Sequence, residues 1–359
     1  MIRFLIAYGI VASLTSGMFP HEGDEIVLQV TYDSTNPPRF NVTFRAPQQD
    51  QAPTIIHGFA SLYPSSSYSS LSQSGIIRPL RMNRIYANSI EFESSDSTHR
   101  FSPRPSVGII DSSNPDDWQN LSVLIGCEFN SPFMDEYEGF ILSPISRNSG
   151  RLILRPRNPQ VYAFQGEWFY AQSTHPVVPK VLASVLVEGN PSHIMTPSPS
   201  QFRVDLVRKE HLVPPIVLHQ LVDQFNRLGI QTYTVSRDNR DVPPPRHSEG
   251  RLLAIVRTDN QDLYRSIEFI GPSIEAFTNI LPTITFRVVD VDGQQISLPV
   301  YPHDYLQQDE FEVEKFEMLF LGAYDQNRWT IGSSLLSRIA LHIDGENHLI
   351  GFGEPLTEL

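Results

Sequence analysis

Apolar and polar residues alternate with a period of two in a series of stretches along the chain: EIVLQVTY (25–32), RFNVTF (39–44), GRLILRP (150–156), KVLASVLVEG (180–189), TITFRVVDVDGQQISLPV (283–300) and RIALHIDGENHLIGFG (338–353). Successive side chains of an extended strand point to opposite faces, so this pattern predicts strands with one buried face each. Asp292-Gly293 and Asp344-Gly345 stand where tight hairpin turns would join neighbouring strands. One stretch has helical spacing instead. From Pro215 onward Leu218, Leu221, Val222, Phe225 and Leu228 share a face, with Pro215 as a start signal and Gly229 as a stop. The Ser-rich YPSSSYSSLSQSG and the Pro-rich DVPPPRHSEG read as surface loops, and no long flexible linker divides the chain. The expected class is mainly β.

Composition adds limits. A chain of 359 residues with 40% hydrophobic residues, 29 prolines and 20 glycines is long enough for two lobes with a core each and is turn-rich. A formal charge of −13 without a Lys/Arg-dense stripe argues against a nucleic-acid or membrane surface, and leaves peptides or proteins as partners of an expected monomer. The N-terminal MIRFLIAYGIVASLTSG carries Arg3, an apolar run from Phe4 to Leu14 and small residues to Gly17, the layout of a secretory leader. The expectation is a secreted protein with a leader over 1–17. Two sequons, Asn41-Val42-Thr43 and Asn120-Leu121-Ser122, permit glycosylation on that route. Cys127 is alone, so no intramolecular disulfide can form, and its apolar neighbours LSVLIGCEF predict a buried, inert thiol.

Particular motifs resemble a known family. RWTIGSSLLSRIALHIDGENHLIGFGEP is similar to the closing strands of pepsin-type aspartic peptidases, with Trp329, Ile331, Gly332, Leu335, Arg338, Asp344, Asn347, Gly351 and Phe352 on the pattern. LPTITF resembles the family's L-P-x-hydrophobic-x-F hairpin. VDLVRKEHLVPPIVLHQLVDQF resembles its second aspartate segment and following helix, with Asp205 at the aspartate and Pro214 at the proline. In the first half PPRFNVTFRAP is similar to the first aspartate strand through Phe40, Val42 and Phe44, but Arg45, Ala46 and Pro47 stand in place of D-T-G. YEGFILSP resembles the F-D-G-I-L-G-L strand with Leu142 in place of the second glycine, and the flap motif finds no match over 66–92. The resemblance implies a bilobal pepsin-like acid-protease fold, two β-barrel-like lobes with a cleft between them. The lobes are expected over 18–165 and 166–359, with the junction near AFQGEWFYAQ.

In this family two carboxyls share one proton, one activating water and the other donating to the scissile carbonyl. Asp205 alone cannot hold both roles. A fixed positive charge on Arg45 would turn Asp205 into a salt-bridge acceptor, and neither Ala46 nor Leu206 has the hydroxyl that braces the opposite loop. Asp111 in VGIIDSSNPDDW imitates an aspartate motif, but it lies too close to Asp205 in sequence for a whole β lobe to fit between. The eleven histidines show no H-x-x-x-H or H-x-H pair, and His211 and His219 read as ordinary loop and helix residues. No nucleophile elbow, phosphate loop or dinucleotide fingerprint is present, so no cofactor or metal is expected. The resulting expectation is a secreted peptide- or protein-binding pseudoprotease. The alternative is an active aspartic endopeptidase that uses Asp205 with a displaced second acid.

Overall fold

The computed structural model describes residues 25–355 except 33–37, 49–50, 64–68, 72–83, 88, 94–97, 102–106, 111–121, 147, 189–198, 237–251, 260–262, 310–311 and 324–328. The N-terminal segment read as a leader therefore lies outside the described residues.

The first half holds β1 (Ile26–Thr31), β2 (Phe40–Gln48), β3 (Gln51–Tyr63), β4 (Ser69–Leu71), β5 (Arg84–Ala87), β6 (Ser89–Glu93), β7 (Thr98–Phe101) and β8 (Val107–Ile110). It continues with β9 (Ser122–Gly126), helix α1 (Pro132–Tyr137), β10 (Gly139–Ser146) and β11 (Ser149–Leu154). The second half opens with β12 (Phe169–Gln172), β13 (Lys180–Val187), β14 (Ser200–Val204), β15 (His211–Val213) and helix α2 (Pro215–Arg227). Next come β16 (Gln231–Ser236), β17 (Leu253–Thr258), β18 (Tyr264–Ile270), α3 (Ile274–Thr278), β19 (Ile284–Val289), β20 (Gln295–Val300) and α4 (Pro302–Tyr305). The chain closes with β21 (Leu306–Gln308), β22 (Lys315–Met318), β23 (Phe320–Gly322), β24 (Thr330–Ile331), β25 (Ala340–Asp344) and β26 (Leu349–Gly353). The protein is mainly β, and every alternating stretch of the sequence is a strand.

One strand arrangement occurs twice. In the first half the sheet runs β7-β6-β2-β3-β9-β4, and in the second β20-β19-β13-β14-β24-β15, with β23 added at the edge. Each corresponding pair has the same sense. β3 and β9 are parallel, as are β14 and β24; the other corresponding neighbours are antiparallel, and the added edge strand β23 runs parallel to β15. A third sheet, β1-β11-β10-β25-β26-β12, takes three strands from each half. Its seam is the antiparallel pair β10 and β25, with Phe140 opposite Ile343 and Leu142 opposite Leu341. The second half also carries the sheet β16-β17-β18-β22-β21.

Local chemistry explains the boundaries. Ser131 caps α1 by accepting from the Met134 N–H at 3.3 Å, and proline follows it at the first helical position. Helix α2 buries Val217, Leu218, Leu221, Val222 and Phe225 and stops at Gly229, whose φ of 78° favours glycine. Leu228, expected on the buried face, is exposed, because the helix has already ended at Arg227. The β19–β20 turn works as expected, with Gly293 at φ 78° and Asp290 Oδ1 accepting from Asp292 and Gln294 N–H groups. The β25–β26 turn differs: the positive φ belongs to His348, and Gly345 is required because a Cβ there would meet the Glu138 carbonyl at 2.7 Å. The Ser-rich stretch is not all loop, since β4 forms inside it.

Buried side chains form one continuous cluster through both halves. Phe40, Phe92, Phe133 and Tyr137 fill the first half, with ring centroids 4.9 to 6.2 Å apart. Phe202, Phe286 and Phe320 fill the corresponding place in the second. Burying a side chain of this size stabilises by about 1.5–3 kcal/mol. Among the described residues no helix is long and apolar enough to cross a membrane.

Candidate functional site at the two strand crossings

Strands β14 and β15 are consecutive in sequence yet not neighbours in the sheet, because β24 lies between them. It runs parallel to β14 and antiparallel to β15. Asp205 is the first residue beyond β14, at the point where the chain must leave the sheet to pass around β24. Its N–H donates to the Ile331 carbonyl at 2.9 Å, and its carboxylate folds back over the turn. Oδ1 accepts from Val207 N–H at 3.0 Å and from Arg208 N–H at 2.9 Å, two donors that the turn would otherwise leave unpaired. Asp205 is 7% exposed. The residue read from sequence as a remnant catalytic acid is thus a buried turn-former.

Gly332 permits this crossing. A Cβ there would lie 2.3 Å from the Lys209 carbonyl oxygen and 2.5 Å from that of Glu210. The Gly332 N–H donates to His211 Nδ1 at 2.9 Å. Because that nitrogen accepts, Nε2 carries the ring proton and faces Ser334 Oγ at 2.8 Å. His211 therefore cannot take a proton from Ser334, and the pair is no nucleophile and base. Burial against Phe286 and Phe320 pushes the His211 imidazole down to about 3, keeping it neutral. Thr330 Oγ1 completes the frame by accepting from the Leu212 N–H at 3.1 Å. His211, read as an ordinary loop residue, is instead a buried brace.

The first half repeats this crossing with other residues. β9 is parallel to β3 and antiparallel to β4, and it separates these two consecutive strands. Leu62 pairs with Ile125 as Val204 pairs with Ile331, so Tyr63, opposite Gly126, holds the register position of Asp205, which follows Val204. Ile125-Gly126 and Ile331-Gly332 are the shared signal that the sequence offered. The glycine-bearing crossing strand is LIG at 124–126; YEGFILSP, which resembles the F-D-G-I-L-G-L strand, forms the seam strand β10.

The second crossing reaches the first half. Leu206, next to Asp205 and 4% exposed, enters a small apolar recess with Val30, Pro38, Phe40, Leu62, Leu142 and Leu152 of the first half. Leu206, which lacks the hydroxyl that braces the opposite loop in the resembled family, faces apolar side chains instead. Cys127 follows β9 directly; burial pushes its thiol up, the Arg203 charge opposes this, and the Asp205 and Glu128 charges add to it. It is buried and inert, as its neighbours in sequence suggested.

Arg45 lies elsewhere. It sits inside β2, opposite Ile55 of β3 and Ser89 of β6, in the middle of a long strand and not at a turn. The alternating run FNVTF simply continues through it to Gln48. Its side chain is outside the described residues, as is the rival acid Asp111. No protein-family model matches the chain, and no curated protein matches it.

Proposed function

We propose that the chain is a pepsin-type aspartic peptidase relative without a catalytic dyad, which binds a peptide or protein between two lobes. The observation that carries this reading is the register at the two crossings. The doubled strand order, the sheet shared by both halves and the recess lined by both Leu62 and Leu206 favour a bilobal arrangement built on a two-fold axis. On that axis the partner of Asp205 is Tyr63, and the role that the sequence gave to Arg45 passes to it.

The chemistry follows from this pair. A dyad needs one ionised carboxylate to take a proton from water and one protonated carboxyl to polarise the carbonyl. A phenol is neutral in acid; it can donate a hydrogen bond but cannot take that proton. Asp205 spends Oδ1 on two backbone amides and sits beside the bulky Leu206. On this reading the cleft keeps its capacity to hold a chain, and recognition of an extended chain without cleavage is the function left to it. Secretion agrees with the apolar leader-like N-terminus.

The test is a cleavage assay. Purified protein, with folding checked by circular dichroism at the assay pH, is incubated with a denatured protein at about pH 5, with and without a transition-state-mimic inhibitor. The expected result is no cleavage by wild type or by Asp205→Ala. Inhibitor-sensitive cleavage that Asp205→Ala abolishes would establish the active endopeptidase with a displaced acid instead.

A further inference from the structure

We propose that Asn41 carries an N-linked glycan on the outer face of the first-half sheet. The inference rests on the secretory part of the reading above and goes beyond its binding function. Asn41-Val42-Thr43 is an acceptor sequon, and the fold decides how its side chain is presented. In β2 the neighbours Phe40 and Val42 are 3% and 4% exposed, so strand alternation turns Asn41 to the opposite face, where it is exposed. On one side it pairs with Phe59 of β3. On the other side the pairing with β6 begins at Val42, opposite Phe92, so Asn41 stands at the end of that ladder, level with Glu93, the last residue of β6.

The side chain is also chemically available. Asn226 and Asn347 are tied into the protein, Asn226 by accepting from Thr232 and Asn347 by donating to Asp344, whereas the Asn41 carboxamide makes no hydrogen bond to the described residues. Its exposed amide can hold a bulky polar group without displacing packed atoms. The transfer takes a lipid-pyrophosphate-linked oligosaccharide as co-reactant. The Asn41 nitrogen bonds to C1 of the first sugar, the C1–pyrophosphate bond breaks, the lipid pyrophosphate leaves, and one amide proton passes to the medium. The second sequon, Asn120-Leu121-Ser122, begins in a segment outside the described residues and enters the test as a control.

The full chain is expressed in a eukaryotic secretory host, and the exported protein is analysed by intact mass and by peptide mapping after peptide-N-glycosidase, which converts a glycosylated Asn to Asp. The expected result is conversion at Asn41, with loss of one glycan in both Asn41→Gln and Thr43→Ala. Thr43→Ala keeps the asparagine, so a glycan lost in both variants reports the sequon and not a folding defect. Exported protein with the leader removed and Asn41 unmodified would overturn the proposal while leaving secretion intact. A chain retained in the cell with its leader uncleaved would overturn both, and the uncleaved leader tells the two failures apart.

Discussion

The crossing that ends at Tyr63 and the crossing that ends at Asp205 share strand order, strand sense and the Ile-Gly of the inserted strand, yet different residues occupy them. In the second half side chains brace the frame: Asp205 over two amides, His211 between Gly332 and Ser334, Thr330 on Leu212. In the first half the strand that enters the crossing ends in Leu62 and Tyr63, and Leu62 lines the same apolar recess as Leu206 of the second half. What the two crossings keep in common is backbone pairing, which any side chain can satisfy. The strand arrangement of such a crossing therefore does not depend on which side chains occupy it.

The largest expected effect distinguishes the braced crossing by pH. Burial lowers His211 to about 3 and His342 to about 4, both below the unfolded value of about 6.5. Between those values the unfolded chain binds more protons than the folded one. The stability contributed is therefore present above about pH 6.5 and lost as pH falls through that window. Each histidine should contribute a loss of about 3 kcal/mol near pH 4. Urea unfolding from pH 7 to 4 should show this, and His342→Phe should flatten the curve by about half. A stability that does not change over this range would contradict the buried, neutral state of both rings.

Next in size is the packing behind the second crossing. Phe286 is fully buried, in contact with His211, Phe202 and Phe320, and Phe286→Ala should cost about 3–5 kcal/mol in urea unfolding. The smallest effect sharpens the role of the acid itself. Asp205→Ala strands the Val207 and Arg208 N–H groups and should cost about 1–3 kcal/mol, whereas Asp205→Asn keeps an acceptor and should cost less than half of that. Equal losses in the two variants would mean that charge, and not the turn hydrogen bonds, is what the position requires.

Much of this was legible in the sequence, and the failures share a cause. Period-two alternation located β1, β2, β11, β13, β19, β20, β25 and β26, and helical spacing located α2. Asp205 stood out in the sequence because a strand, an acid and a Pro-started helix follow each other locally. Arg45 was singled out because FNVTF alternates just as an aspartate-bearing strand does, but alternation cannot say where a strand ends, and β2 runs on to Gln48. The crossing partner β9 pairs with β3 and β4 across more than fifty residues, a relation that no local pattern encodes. The Ile-Gly shared by LIG and TIG was the one available sign, and an apolar residue before glycine is too common to be read alone. His211 was missed because its role depends on Gly332 and Ser334, far away in the chain.

Cross-linking measures the register most directly. Two double variants, Tyr63→Cys with Asp205→Cys and Arg45→Cys with Asp205→Cys, are built on a Cys127→Ala background and oxidised under native conditions. A disulfide needs Cα atoms within about 7 Å, a limit that only positions facing each other across the junction can meet. The account predicts that the Tyr63 pair closes and the Arg45 pair stays reduced. Closure of the Arg45 pair with none at Tyr63 would contradict it and restore the assignment read from the sequence.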